Sequence, residues 1–153
     1  MANIRIRPAQ KADGKAVLSL VDALADYEKL KRPAPAARRR LLADAFGRKP
    51  RIEILLAEHE GEAVGYAIML ETYSSFLAMP TLYLEDLFVR PEHRLRGAGK
   101  KLFQAVLKEA KRRRCGRMEW MVLDWNKLAI GFYRKLGARH MKPWHLYRIE
   151  IGK

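Results

Sequence analysis

Acidic residues are scarce in this chain: 17 aspartates and glutamates stand against 31 lysines and arginines, a formal net charge of +14. Cysteine is nearly absent: the chain has one, Cys115. No internal disulfide can form, and a reducing cytoplasm is the expected location. No run of about 18 or more apolar residues occurs, which predicts that no helix spans a membrane. The first ten residues lack the apolar core of a signal peptide.

The excess of positive charge predicts an anionic partner: nucleic acid, a membrane surface or a polyphosphorylated cofactor. Two basic runs, Arg38–Arg40 and Lys111–Arg114, lie on predicted helices. No aromatic residues interleave them, as a stacking platform for nucleic acid would need. A solvated basic surface is the favoured interpretation of both runs, and nucleic-acid binding stays open as the alternative.

Hydrophobic periodicity predicts one domain over residues 1–153, with the element order β-α-α-β-β-β-α-β-α-β. The predicted strands cover 3–7, 51–58, 63–73, 82–89, 118–123 and 144–151, and the predicted helices 13–30, 36–46, 97–113 and 126–136. Asp13 and Asn126 are the expected N-caps, and Gly116 and Gly137 the expected helix ends. A tight turn at His59-Glu60-Gly61-Glu62 is expected to join the second and third strands. Strands interleaved with helices indicate an α/β fold with a mixed, mostly antiparallel, twisted sheet and helices on both faces.

The stretch from Thr81 to Lys101 carries the strongest functional signal. It begins as an apolar strand that contains the adjacent carboxylates Glu85 and Asp86, and it continues through a glycine-rich basic loop into an amphipathic helix. A strand, a glycine loop and a helix N-terminus in this order bind phosphate, because backbone N–H groups and the helix dipole face the ligand. The carboxylates place possible base chemistry beside that phosphate site.

The element order and the motif Arg94-Leu95-Arg96-Gly97-Ala98-Gly99 resemble the GNAT superfamily of acetyl-CoA-dependent N-acetyltransferases, whose pyrophosphate loop reads Q/R-x-x-G-x-G/A. Within that superfamily the chain is most similar to the spermidine/spermine acetyltransferase group, including its thialysine-acetylating branch. The stretches that carry this likeness are Ile6-Arg7-Pro8-Ala9, Tyr27-Glu28, Leu82-Tyr83-Leu84-Glu85-Asp86, Asp124-Trp125-Asn126, Phe132-Tyr133 and Gly137-Ala138. Leu95 stands where the group usually has Gly, but cofactor binding is still expected because Gly97 and Gly99 remain. The acidic residue of the group's Asp-Pro-Trp stretch is missing from 74–80, which argues against polyamine specificity.

The resemblance implies acetyl-CoA as cosubstrate, a small amine as acceptor and a homodimer. The cofactor-binding positions that it implies are Leu87, Phe88, Val89, Arg94, Leu95, Arg96, Gly97, Ala98, Gly99, Lys100, Asn126 and Ala129. The acceptor-binding positions are Tyr27, Glu28 and Glu85. His140 and His145 do not form metal-ligand spacing with Cys115, so no metal is expected.

Two side chains are expected to carry the chemistry. An alkyl amine has a pKa of about 10.4, so a base near it helps at neutral pH, and Glu85 is the candidate, directly or through a water. Alternation along a strand predicts that Asp86 points to the opposite face and has a structural role. Tyr133 is the candidate general acid for the departing thiolate, as the resemblance implies.

These residues predict an acetyl-CoA-dependent N-acetyltransferase that acetylates a primary amine of a small molecule by direct attack. The acceptor would be a diamine or a lysine- or thialysine-like amino acid. One alternative keeps the chemistry and takes a protein lysine or N-terminus as acceptor. An alternative of another class is a basic nucleic-acid or ribosome-binding module without catalysis.

Overall fold

The computed structural model describes residues 3–94 and 96–152, so the prediction for Leu95 lies outside the described residues. The strands of the described part are β1 Ile4–Pro8, β2 Glu53–His59, β3 Glu62–Ser74, β4 Met79–Val89 and β5 Arg117–Glu119. Its α-helices are α1 Gly14–Tyr27, α2 Pro35–Phe46, α3 Ala98–Arg112 and α4 Lys127–Lys135. Short 3-10 helices at Lys11–Asp13 and Pro91–His93 precede α1 and the basic loop.

The five strands form one sheet in the order β1-β2-β3-β4-β5. The first four pair antiparallel, and β4 pairs parallel with β5. The predicted mixed, mostly antiparallel sheet is therefore confirmed. The predicted tight turn between β2 and β3 is also present: Glu60 and Gly61 both have positive φ, 52° and 79°. Two such residues form the type I′ turn whose twist matches the flanking strands.

Both faces of the sheet are covered by helices, as expected. Residues 64–69 of β3 are buried without interruption, and since neighbouring side chains on a strand point to opposite faces, each face must be packed. Val17 and Leu20 of α1 pack with Tyr66 and Ile68 on one face, called here the α1 face. The buried side of α3, which includes Leu102 and Val106, packs on the other.

The strand predicted over residues 144–151 is wrong, because these residues form no strand in the structure. Their large apolar side chains are exposed, with Ile149 and Ile151 about nine-tenths accessible, at 88% and 92%. Alternating apolar residues give strand propensity, but a strand also needs a neighbour with which to pair. The strand predicted over 118–123 is likewise reduced to the three residues of β5.

Helix ends follow local signals with two corrections. Asp13 is the N-cap of α1 but makes no side-chain cap bond there; its carboxylate binds the Arg7 guanidinium at 2.8 Å. Helix α3 ends at Arg112, and the left-handed residue after it is Arg114, with φ 58°, and not Gly116. The predicted caps of α4 are confirmed, since the Asn126 side chain accepts from an amide of the first turn and Gly137 has φ 89°.

The chain divides into two compact units, residues 1–120 and 121–153. The prediction of one domain over residues 1–153 therefore stays a prediction. In the described ranges, no helix has the length and apolar character that crossing a membrane requires.

Candidate active site

Strand β4 carries a β-bulge at Glu85. Leu84 pairs with Met69 and Asp86 pairs with Ile68, so Glu85 is the extra residue between two consecutive pairs. Met69 and Ile68 are neighbours and point to opposite faces of the sheet. Leu84 and Asp86 therefore also point to opposite faces, although regular alternation would place residues two apart on the same face. The alternation argument that separated Glu85 from Asp86 fails at this bulge.

The bulge directs Asp86 to the α1 face, where its carboxylate accepts a 2.8 Å hydrogen bond from the hydroxyl of Tyr66. Tyr66 is fully buried on β3. Burial is the main reason that the pKa of Asp86 rises to about 6, the negative charges of Glu85 and Glu28 raise it further, and the Tyr66 bond opposes them. Asp86 therefore titrates near neutrality, which its sequence position alone does not indicate.

Glu85 is exposed, yet its charge acts on the same face. It raises the pKa values of Tyr66, Tyr83 and Asp86. Tyr83 pairs with Leu70, which shares the α1 face with Ile68, so the three affected groups lie on one side of the sheet. The bulge thus breaks the alternation that predicted opposite faces for Glu85 and Asp86, and it places Asp86 on the α1 face against Tyr66.

Tyr27 and Glu28, the predicted acceptor-binding pair, lie at the end of α1 on this same side. The Tyr27 ring is 6.2 Å from the ring of Phe88. Glu28 is the C-cap residue of α1, and burial raises the pKa of its carboxyl. Its charge raises the pKa of Asp86 as well, so Glu28, Glu85 and Asp86 form one interacting group of carboxylates.

Arg94, the first residue of the phosphate-loop motif, contacts the same aromatic residues. Its guanidinium carbon lies 4.6 Å from the centre of the Tyr27 ring and 5.6 Å from that of Phe88. Its Nε donates a 3.0 Å hydrogen bond to the carbonyl of Val89. These cation–π contacts and the backbone bond place Arg94 between the glycine-rich loop and Tyr27, the predicted acceptor-binding residue.

The N-terminus of α3 has the form of a phosphate site. Gly97 is its N-cap with φ 84°, in the left-handed region that favours glycine. Apart from its chain neighbours, no described residue has a heavy atom within 4 Å of the position a Cβ would take. The first helical hydrogen bond runs from the Lys101 amide to the Gly97 carbonyl. The amides of Ala98, Gly99 and Lys100 precede it and have no acceptor within the helix.

These features fit the phosphates of acetyl-CoA. Open space at Gly97 admits a close approach, the three amides are anion donors, and the side chains of Arg96 and Lys100 are exposed. The next residue, Lys101, is directed elsewhere, because its ammonium donates to the Ile4 carbonyl at 3.1 Å.

The edge of β4 is open where the acyl-pantetheine arm is expected. Strand β5 pairs with β4 only at Thr81–Tyr83, so no described strand covers that edge at 87–89. The Arg90 amide donates to the Val64 carbonyl, and alternation then places Phe88 in a hydrogen-bonded pair with Tyr66. The backbone groups of Leu87 and Val89 face the open edge. The backbone of Phe88 pairs with Tyr66, so it does not face this edge, and the Phe88 ring packs on the α1 face.

The second unit holds the remaining predicted site residues. Asn126 accepts a 3.2 Å hydrogen bond from the Ala129 amide and so caps α4. Tyr133 lies two turns later, is half-buried, and its ring packs against Phe132 with centroids 5.3 Å apart. The catalytic role of Tyr133 and the pantetheine contacts of Asn126 and Ala129 stay predictions.

Sequence reasoning missed Tyr66 entirely. The local signal was weak, since a tyrosine in a strand is commonly a packing residue; only the pairing of β3 with β4 places it against Asp86. Throughout 3–94 and 96–152, no three His, Cys, Asp or Glu side chains assemble as a metal-binding group.

Comparisons with known proteins identify the family and the fold. Residues 18–138 match the model of the acetyltransferase (GNAT) family. The thialysine N-epsilon-acetyltransferase of Sus scrofa is 37% identical, over 98% of this chain and 94% of its own length. The L-ornithine N5-acetyltransferase of Arabidopsis thaliana is 45% identical over 56% of this chain and 37% of its own. An aminoglycoside N-acetyltransferase in complex with CoA superposes with a TM-score of 0.79 at 21% identity, over 97% of this chain and 96% of its own, which shows the shared fold.

Proposed function

Because the chain belongs to the GNAT family of acetyltransferases, we propose that it acetylates the side-chain amine of a small diamino acid, with acetyl-CoA as the donor. It is an N-acetyltransferase that acts on an amine of a small molecule. The proposal adds the class of acceptor: an amine that carries its own carboxylate, as lysine, thialysine and ornithine do.

The observation that carries the proposal is the electrostatic interaction among the carboxylates of Glu28, Glu85 and Asp86, in a chain whose net charge is +14. A localised negative group attracts an ammonium, whereas the surrounding positive field repels a polycation. An amino acid with one side-chain ammonium meets both conditions, because its carboxylate faces the basic surface while its amine faces Glu85. Spermine has no negative group with which to offset the repulsion.

The chemistry assigns each predicted residue one task. Glu85 meets the acceptor ammonium and helps to remove its proton. The N–H groups of Leu87 and Val89 face the open edge of β4, which supports a role in pairing with the pantetheine arm and in polarising the thioester carbonyl. Acetyl-CoA supplies the thioester, and Tyr133 donates its phenolic proton to the departing thiolate.

The test is a thiol-release assay with acetyl-CoA and a panel of thialysine, ornithine, lysine, spermidine and spermine at two ionic strengths. The expected result is a higher kcat/KM for the amino acids, with the deficit of spermine growing at low salt because screening is weaker there. A preference for spermine that persists at low salt would restore a polyamine substrate. Acetylation only of protein lysines or N-termini would favour the protein-acceptor alternative.

Two further parts of the proposal concern assembly and location. The homodimer implied by the resemblance is supported by exposed apolar side chains at the tip of the β3–β4 hairpin, among them Tyr73 and Phe76, the latter 98% accessible. Light scattering of the purified chain tests it, and a monomer at micromolar concentration would contradict it. Location in the cytoplasm stays a prediction, which fractionation of the source cells would test.

A further inference from the structure

We propose that Glu85 and Asp86 act as one carboxylate pair: exposed Glu85 meets the acceptor ammonium, and Asp86, held by the Tyr66 hydroxyl, keeps the proton that the ammonium loses. This inference rests on the proposed function and deepens it. It gives Asp86 a chemical task in place of the structural one that strand alternation predicted.

The position of Asp86 is fixed by two independent features. The bulge turns its carboxylate to the α1 face, and the hydroxyl of the fully buried Tyr66 donates to it at 2.8 Å. Tyr66 is itself fixed by packing, since it lies in the core cluster with Val17 and Leu20. Among residues 3–94 and 96–152, the Asp86 carboxylate has one neutral donor, Tyr66, and no basic side chain bonded to it. It therefore keeps the capacity to accept a proton, unlike Asp13, which is paired with Arg7.

The titratable groups that interact with Asp86 come from three elements of the first unit: Tyr66 on β3, Tyr83 and Glu85 on β4, and Glu28 at the end of α1. Arg94, in the loop before α3, lies over the rings of Tyr27 and Phe88. The two like charges and burial raise the pKa of Asp86, and the Tyr66 hydroxyl lowers it, with the balance at about 6. Such a group takes up and releases a proton readily near neutral pH.

The step conserves protons and electrons. One N–H bond of the ammonium breaks, the electron pair stays on nitrogen, and an O–H bond forms on the carboxylate pair, with the proton held at Asp86. The amine then forms a C–N bond with the acetyl carbon, and the C–S bond breaks with its electrons on sulfur, which takes the phenolic proton of Tyr133. The second nitrogen proton is lost to water as the amide forms, and the tyrosinate regains a proton from water. No atom changes oxidation state.

The test follows the carboxyl carbon of Asp86 by ¹³C NMR through a pH titration, and kcat/KM of the best acceptor over the same pH range. In Tyr66→Phe the stabilising hydroxyl is lost, so the Asp86 midpoint and the acid limb of kcat/KM should both move up by about one pH unit. The ratio of kcat/KM at pH 6 to kcat/KM at pH 8 should therefore fall about fivefold, from about one half to about one tenth. Tyr73→Phe removes an exposed hydroxyl from the same strand and should move neither.

Substitutions of the two carboxylates should change the acid limb differently from Tyr66→Phe. Glu85→Gln removes a like charge and should lower the Asp86 midpoint, together with a loss of kcat/KM at every pH. Asp86→Asn should remove the acid limb.

An acid limb that stays in place in Tyr66→Phe while the Asp86 midpoint moves would overturn the inference and leave the acetyltransferase assignment standing. Disappearance of the limb in Glu85→Gln with no change in Tyr66→Phe would overturn it in favour of Glu85 alone. Failure to acetylate any amine of the panel in the unsubstituted protein would instead refute the proposed function.

Discussion

Arg94 lies with its guanidinium carbon 4.6 Å from the centre of the Tyr27 ring, so a residue of the predicted phosphate loop contacts a residue of the predicted acceptor site. Tyr27 in turn packs against Phe88, and Phe88 packs against Tyr66, with centroids 6.2 and 6.5 Å apart. A contiguous line of rings therefore joins the cofactor loop to the hydroxyl that binds Asp86. A change at Arg94 is expected to be felt on both substrates.

Arg94→Ala should weaken acetyl-CoA binding about 10- to 100-fold, since a hydrogen bond to a charged group contributes about 1.5–3 kcal/mol. It should also raise the KM of the amine, because Tyr27 loses the cation that packs on it. Calorimetry and steady-state kinetics measure the two effects. Lys111→Ala, an exposed cation later on α3, serves as the control and should change neither. An amine KM equal to that of the unsubstituted enzyme would show that the Arg94–Tyr27 contact has no functional weight.

Gly97→Val should abolish acetyl-CoA binding in calorimetry. The side chain would occupy the open space above the α3 amides, and a β-branched residue does not tolerate φ 84°. Gly61→Val is the matched control, because Gly61 has φ 79° and equally open surroundings but lies in the β2–β3 turn. Both variants should lose stability, and only Gly97→Val should lose the cofactor. Normal binding by Gly97→Val would refute this location of the pyrophosphate.

Tyr133→Phe should lower kcat about 10²-fold while the dissociation constant of acetyl-CoA stays nearly unchanged, as loss of a general acid requires. The substitution keeps the ring that packs against Phe132, so the helix should remain folded. Tyr147→Phe, a highly exposed tyrosine of the same unit, is the control. A parallel loss of cofactor affinity would mark Tyr133 as a binding residue instead.

Acid stability should depend on Asp13. Its ion pair with Arg7 lowers its pKa to about 2, and Arg7 also pairs with Glu58 at 3.0 Å. A carboxyl whose pKa is lower in the folded protein stabilises it above the unfolded value, and this contribution disappears as pH falls from about 4 to about 2. Asp13→Asn should reduce the unfolding free energy by about 1–2 kcal/mol at pH 7, with little difference from the unsubstituted protein near pH 2. Urea unfolding at several pH values measures this, and a deficit independent of pH would contradict the linkage.

Local sequence signals predicted the parts of the structure that local interactions determine. The Glu60-Gly61 turn, the glycine start of α3 and the Asn126 cap were all found where their chemistry placed them, because each depends on a few adjacent residues. The acceptor side depends on the register between β3 and β4. Glu85 has no partner on β3, and nothing in the sequence around Glu85 indicates this. The bulge, and with it the contact between Asp86 and Tyr66, could therefore not be predicted from one sequence.

The remaining errors have the same origin. Residues 144–151 have the alternating pattern of a strand, but they have no strand partner in the described chain. Sequence periodicity indicates the pattern and gives no information about the partner. Glycine was expected to end α3 at Gly116, yet Arg114 takes the left-handed conformation. Gly116 is needed for another reason, since a Cβ there would lie 2.9 Å from a methyl carbon of Leu77.

The bulge in β4 makes Glu85 unnecessary for the pairing of the sheet, so this position can vary independently of the strand ladder. Removing residue 85 would leave Leu84 opposite Met69 and Asp86 opposite Ile68, so the ladder would close without a gap and every other pair would be kept. The strand thus holds one position that is redundant for its own hydrogen bonding, and that position is occupied by the exposed carboxylate. If Glu85 meets the acceptor ammonium as proposed, a change of chain length at this single point would alter which amines are accepted while the pairing of the sheet is kept.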